Sequence, residues 1–473
     1  MTLKNLRWLV LASAALLWAC QKDGFITSGD AGLRTSTDSL FFDTVFTSVG
    51  SVTQQIIVAN TNNQKLRIAR IALGGGASSA FSLNVNGQPG TSFSQLEMNA
   101  DDSLYMFIKL TVNPTATNLP FLIRDSITLE WNGNRRTIKL EAYGQNARFL
   151  KNWRITKDTT WTAEQPFVLV NQLTVDAGAT LTLQKGCKIY CNATAPFVVN
   201  GSLRCLGRPA PPDWIVFRGD RTDALYKDLP GGWQGLIFTA SSSGNLLQNT
   251  HILNAYQGIL VGGGANQNPA KLTLEACQIT NAFDLGLYAL NSSVAATNCL
   301  IAQCGNNGEP GVGGSNVILA GGGTYRFNHC TIATYANLYQ NHKQPALYIT
   351  NAGGGTPAAL DALFTNSIVH GGGGLTEDEL VVNRVTGPAF LVQFQNLIYR
   401  AKNAVAHAAF ANAQLNVNPQ FDSISTSRQT YNFRLRAGSP AIDTAAASTT
   451  SIDLDGNPRP FGRKPDLGCY EHQ

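Results

Sequence analysis

Between residues 250 and 398 the chain repeats one short phrase six times: a small or polar residue, one spacer, then isoleucine. Thr250 precedes Ile252, Cys277 precedes Ile279, Cys299 precedes Ile301, Cys330 precedes Ile332, Asn366 precedes Ile368 and Asn396 precedes Ile398. Successive isoleucines are 27, 22, 31, 36 and 30 residues apart, a period that belongs to stacked repeats rather than to a closed globule. Short apolar runs between Gly and Asn, with little helical periodicity, predict one β coil per repeat, its isoleucine buried only by stacking on the next coil. Stacked coils lie about 4.8 Å apart, so Cys277, Cys299 and Cys330 are expected to form an internal file continued by Thr250, Asn366 and Asn396. Their parallel side chains disfavour the torsion of a disulfide, which predicts buried free thiols.

Regular alternation begins further upstream, with Val168, Val170, Leu173, Val175, Leu181, Leu183, Ile189, Phe197, Val199 and Leu203 on the apolar face. Before it, runs such as Gln54 to Asn60, Leu66 to Leu73, Leu104 to Val112, Asp125 to Trp131 and Arg136 to Tyr143 predict short antiparallel strands in a sandwich, with a hairpin at Asn132-Gly133-Asn134. The organisation expected is therefore all-β: a leader over 1–20, a linker over 21–37, a sandwich over 38–145, a transition over 146–166, a solenoid over 167–435 and a closing segment over 436–473. Trp153 and Trp161 in the transition are expected to pack the sandwich on the first coil.

Composition narrows the function classes. Among 473 residues there are 45 glycines and only 14% charged residues, which suits a turn-rich β protein. The net charge of +5 comes from scattered Lys and Arg, so no nucleic-acid partner is expected. Nine cysteines lack paired ligand spacing; no metal and no cofactor is predicted.

Four stretches carry resemblances. Lys4 and Arg7, an apolar run from Trp8 to Trp18, and Leu17-Trp18-Ala19-Cys20 resemble a bacterial lipoprotein signal. That resemblance implies lipidation of Cys20 and attachment to the membrane through the N-terminal lipid. Gln21-Lys22-Asp23 after it resembles the surface-export signal of Bacteroidetes lipoproteins, implying an outer-membrane lipoprotein facing the cell surface or the periplasm. The strand pattern from Thr44 to Val58 resembles immunoglobulin-like domains that precede bacterial surface repeats. The run from Leu173 to Gly207, followed by Gly232-Trp233-Gln234-Gly235-Leu236-Ile237-Phe238, resembles right-handed parallel β-helix proteins of the pectate-lyase-like fold. Finally, Ser439-Pro440-Ala441-Ile442-Asp443, Asp453-Leu454-Asp455-Gly456-Asn457-Pro458-Arg459 and Pro465-Asp466-Leu467-Gly468-Cys469-Tyr470-Glu471 resemble the ending of choice-of-anchor β-helix proteins. Asp453, Asp455 and Asp466 beside Arg459 and Arg463 are expected to form ion pairs that close the last coil.

Candidate chemistry is sparse. The loop from Arg218 to Gly232 is the most charged stretch at a coil edge, and Trp214, Asp220, Arg221, Asp223, Tyr226, Lys227 and Trp233 are the candidate glycan contacts. Glu275, Asp284, Asp361 and Arg326 read as isolated, Glu377-Asp378-Glu379 as a solvated loop, and His329 and His342 as turn residues. The row beside the isoleucines, His251, Gln278, Leu300, Thr331, Ser367 and Leu397, is no acid/base array, so no catalytic residue is assigned. The expectation is a non-enzymatic binding module for a polysaccharide or an outer-membrane protein, with a polysaccharide lyase or glycoside hydrolase on the same scaffold as the alternative.

Overall fold

The structure is a computed structural model that describes residues 24–47, 51–113, 121–265, 267–305, 313–353 and 355–473. Cys20 and the leader lie outside the described residues. The chain divides into two compact units between Asn146 and Ala147.

Ten strands build the first unit: β1 (Leu33–Thr35), β2 (Ser39–Phe46), β3 (Gln54–Asn60), β4 (Leu66–Leu73), β5 (Phe81–Val85), β6 (Gln88–Gly90), β7 (Ser92–Met98), β8 (Ser103–Leu110), β9 (Phe121–Trp131) and β10 (Asn134–Gln145). They form two five-stranded sheets, ordered β1-β3-β8-β5-β6 and β2-β10-β9-β4-β7. Alternation puts Ile56, Val58, Met106 and Ile108 of one sheet and Ile68, Ile127, Leu129 and Leu140 of the other into one dry core. Asn132 and Gly133 both take positive φ, 44° and 79°, the two-residue turn that matches strand twist. One pairing departs from the antiparallel expectation. After β1 the chain switches sheets, and β2 runs parallel to β10 as an edge strand.

The second unit contains a sheet of 23 strands whose pairings are all parallel, each strand bonded to its counterpart one coil away. This is a parallel β-helix with three strands per coil. The first face stacks Leu173, Phe197, Leu236, Ile259, Leu287, Val317, Leu347 and Leu380 in register. On the second face Leu183, Cys205, Leu247, Leu274, Ala296, Phe327, Phe364, Phe394 and Phe410 follow one another. Its last four rings stack at centroid distances of 4.6, 5.2 and 5.0 Å.

The third face holds the isoleucines, with a correction. Ile252, Ile279, Ile301 and Ile332 are in register, but the next partner of Ile332 is Val369, not Ile368. Each of these strands is preceded by a corner residue of positive φ: Asn249, Ala276, Asn298, His329, Asn366 and Asn396. Asn366 and Asn396 therefore belong to the corner and not to the cysteine file, which Ser367 and Leu397 continue. Asparagine tolerates this left-handed bend, and the bend sets the phase of the strand after it. In the last two coils Ile368 and Ile398 consequently face outward. Cys277, Cys299 and Cys330 are buried and free, as are the other five described cysteines.

The closing segment is placed differently from expectation. It does not lie across the last coil; it doubles back along the outside of the third face. Gly468 N donates to Asn366 O at 2.9 Å and Cys469 N to Thr331 Oγ1 at 3.1 Å, while Asn298 Nδ2 donates to Ile452 O at 2.6 Å. Leu454, Leu467, Cys469 and Tyr470, with Phe421 and Phe433 before them, bury the outward Leu300, Ile368 and Ile398. Gly468 is required here: its φ is +87°, and a Cβ would come within 2.6 Å of Thr331 Oγ1. The ion pairs also differ. Arg459 binds Glu471 at 2.8 Å with both side chains fully buried, and Asp455 binds Arg434. Asp453 instead accepts the backbone N–H groups of Asp455, Asn457 and Glu471. A carboxylate so saturated organises a turn.

Trp161 is buried inside the first coil, stacked on Phe167 at 4.1 Å, whereas Trp153 is 42% exposed.

Candidate functional site

Outward positions of the third face form a second row beside the isoleucines. His251, Gln278 and Leu300 are neighbours in register, and Leu253 and Thr280 run parallel to them. From Leu300 onward this surface is covered by the closing segment. Ahead of it the surface is open, and the boundary creates a cleft of about 780 Å³, a volume typical of small-ligand sites.

One rim is Trp214 and Asp228; the other is the hairpin of Phe421–Ser425 and Thr430–Leu435, through Arg428, Tyr431, Asn432 and Arg434, with Tyr470. Trp214 lies over the His251 ring at 4.3 Å. Burial holds the His251 imidazole down at about 4, so the ring is neutral at pH 7. Burial also raises the Tyr431 and Tyr470 hydroxyls above their ordinary range, leaving both as neutral donors and acceptors. Arg434 reaches Asp455 through Nε and Nη2, both at 2.6 Å, and lies 4.7 Å from the Tyr470 ring.

The charged loop from Arg218 to Gly232 shapes the near rim by its backbone. Asn254 Nδ2 and Arg218 Nη2 donate to Lys227 O, at 2.6 and 2.7 Å, and Asn281 Nδ2 donates to Asp228 O at 2.8 Å. Asn281 also donates to Asn254 Oδ1 at 2.9 Å, so a short amide ladder at the coil corner pins the loop. The Asp228 side chain is left 80% exposed.

Of the seven residues singled out from sequence, Trp214 lines the cleft. Trp233 is fully buried, its indole N–H donating to Leu253 O at 2.9 Å and its ring against Phe217, so it offers no face to a ligand. Its neighbour Gly235, at φ +105°, leaves no room for a Cβ against Gln257 O, which makes this motif a packing device. Asp220 accepts from Asn192 Nδ2 at 3.1 Å, and burial raises its carboxyl. Arg221 pairs with Asp223 at 2.8 Å and covers the Tyr226 ring at 3.8 Å. Lys227 contributes its carbonyl and a loose 3.6 Å pair with Asp228.

No family model matches the chain, and no curated protein matches it. Among solved structures it is similar to a family 123 glycoside hydrolase from Clostridium perfringens, at 11% identity and a TM-score of 0.19, over 24% of this chain and 26% of that one. It is also similar to the seventh PapD-like domain of human CEP192, at 9% identity and a TM-score of 0.16, over 24% of this chain and 84% of that one. The chain thus spans about a quarter of the length of the first of these.

His251, Gln278, Tyr431, Arg434 and Tyr470 were not assigned from sequence. His251 and Gln278 stand in the row beside the isoleucines, but the hairpin and Tyr470 reach them from 150 or more residues away, and no local pattern carries that contact. Other charges that read as isolated have partners: Arg326 pairs with Asp361, and Glu275 accepts from Gln248 Nε2. Glu379 is not a solvated loop residue. It is buried against His342 at 2.8 Å and Arg400 at 3.3 Å, while Glu377 pairs with Lys402 and Asp378 holds the N–H groups of Lys402 and Asn403.

Proposed function

We propose that the chain is a lipid-anchored cell-envelope protein of the choice-of-anchor type that binds glycan in the third-face cleft without cutting it. The observation that carries this reading is the lining: an aromatic side chain at each rim, Trp214 on one and Tyr431 on the other, together with amides and neutral hydroxyls. Sugar rings stack on aromatic faces and exchange hydrogen bonds with such groups. Hydrolysis by the common routes uses two carboxyl groups flanking the bond, and Asp228 is the single carboxylate among the described lining residues. Anchoring is supported by the sequence ending at Cys20.

Two measurements test this. Intrinsic tryptophan fluorescence titrated with a glycan panel should show saturable binding, weakened ~2- to 10-fold in Trp214→Ala, because a stacked ring contributes about 0.5–1.5 kcal/mol. The same panel should release no new reducing ends and no unsaturated products; turnover of any glycan supports the lyase or hydrolase alternative instead. For the anchor, Cys20→Ser should move the protein to the soluble fraction, and retention in the outer membrane counts against lipidation.

A further inference from the structure

We infer that the cleft selects an uncharged stretch of glycan, not a uronate- or sulfate-bearing one; this rests on the glycan reading above and adds a chemical class to it. Among the described residues, three charged side chains line the cleft: Asp228, Arg428 and Arg434. Arg434 is already spent, with two of its nitrogens on Asp455 at 2.6 Å and Nη1 donating to Asn432 Oδ1 at 3.1 Å. A fork engaged in this way has no geometry left for a second, bidentate carboxylate. His251 adds no positive charge, because its ring is packed under Trp214 and buried. What remains is one arginine in the turn of the hairpin, Arg428, opposed by Asp228 on the other rim.

The floor crosses the coils of Trp214, His251, Gln278 and Leu300, three strand spacings or about 14 Å. That length accommodates several sugar rings, so an acidic polymer would place several negative charges in the cleft. It would meet one unpaired cation and one carboxylate, so all but one of its charges would shed water without gaining a partner. A neutral chain sheds water only from hydroxyls, whose cost is offset where they regain hydrogen bonds. Its hydroxyls meet Gln278, Thr280, Thr430 and Tyr431, and a ring face meets Trp214.

The test is a glycan array carrying neutral, uronate-bearing, sialylated and sulfated chains, probed with the purified protein at low and high salt, followed by titration of the positives. The expected result is binding confined to neutral chains, with Kd changing less than ~2-fold between the two salt conditions, since no ion pair is screened. Asp228→Asn should admit acidic chains at least ~3-fold better, because a like-charge contact is removed at an exposed rim. The variant keeps the loop intact, as it is the Asp228 carbonyl that holds Asn281; an unchanged melting temperature verifies this. Salt-sensitive binding of acidic chains by the native protein overturns the charge selection and leaves the glycan reading standing. Binding of no chain in any class overturns both.

Discussion

His251, His329 and His370 are buried where protonation is disfavoured. Burial alone holds His251 at about 4. Burial and then the nearby Arg459 hold His329 at about 3, and burial and then Arg400 hold His370 at about 4. In the unfolded chain each returns to about 6.5. Between those values the unfolded state binds more protons, so stability is complete above pH 6.5 and is lost as pH falls toward 4. By pH 5 each histidine removes on the order of 2 kcal/mol. Thermal melts from pH 7 to pH 5 should show a steep fall in Tm, and His370→Gln should make that fall shallower by about a third, one histidine of three; a flat profile in the native protein would show these rings to be solvated. At the same scale, Lys271 is a buried ammonium whose Nζ donates to Thr239 O, Ala240 O and Gly262 O at 2.6, 3.1 and 2.6 Å. No feature of its sequence context distinguishes it from the scattered surface lysines. Trp233 carried the opposite ambiguity: an aromatic beside a charged loop reads as a platform or as core, and the choice depends on the Leu253 carbonyl one coil away.

At the level of strands, periodicity made the coils legible because one inward residue in two must be apolar on every face. It could not fix the phase of every strand. Ile368 and Ile398 fit the repeated phrase, yet they serve the outer cluster, since an outward position that will be covered looks the same as an inward one. The left-handed corners supply the missing phase information, and Asn at 249, 298, 366 and 396 aligns the strands better than Ile does. Ile301 lies in the true interior. Ile301→Asp should abolish the cooperative melt of the solenoid, because an unpaired carboxylate there costs several kcal/mol. Retention of a native melt would refute the stacking of Ile279, Ile301 and Ile332. Phe364→Ala, which interrupts the ring stack on the second face, should cost about 3–5 kcal/mol and leave glycan binding unchanged, as Phe364 is remote in register from the cleft.

For the molecule as a whole, fold class followed from local patterns, and the cleft did not. A parallel solenoid repeats short-range rules, so each coil announces itself. The cleft exists only because residues 421 to 470 lie against strands that begin near 250, a contact between segments whose sequences have no common period. The motif around Gly468 was visible, but its partners, Thr331 and Asn366, were not. Deleting residues 436–473 should therefore do two separable things: expose Leu300, Ile368 and Ile398, seen as a gain in binding of a hydrophobic dye, and remove the Tyr470 rim, seen as lost glycan affinity. A truncated protein that binds glycan with native affinity would place the ligand elsewhere.

The closing segment also imposes an order on synthesis. Residues 453 to 470 leave the ribosome after every coil they cover, and they settle on strands made more than a hundred residues earlier. Until then the outer face of the third sheet is an apolar strip facing water, available to any chaperone that holds extended chains. The cleft is thus completed only after the coils that floor it, and a chain able to bind ligand there has already folded those coils.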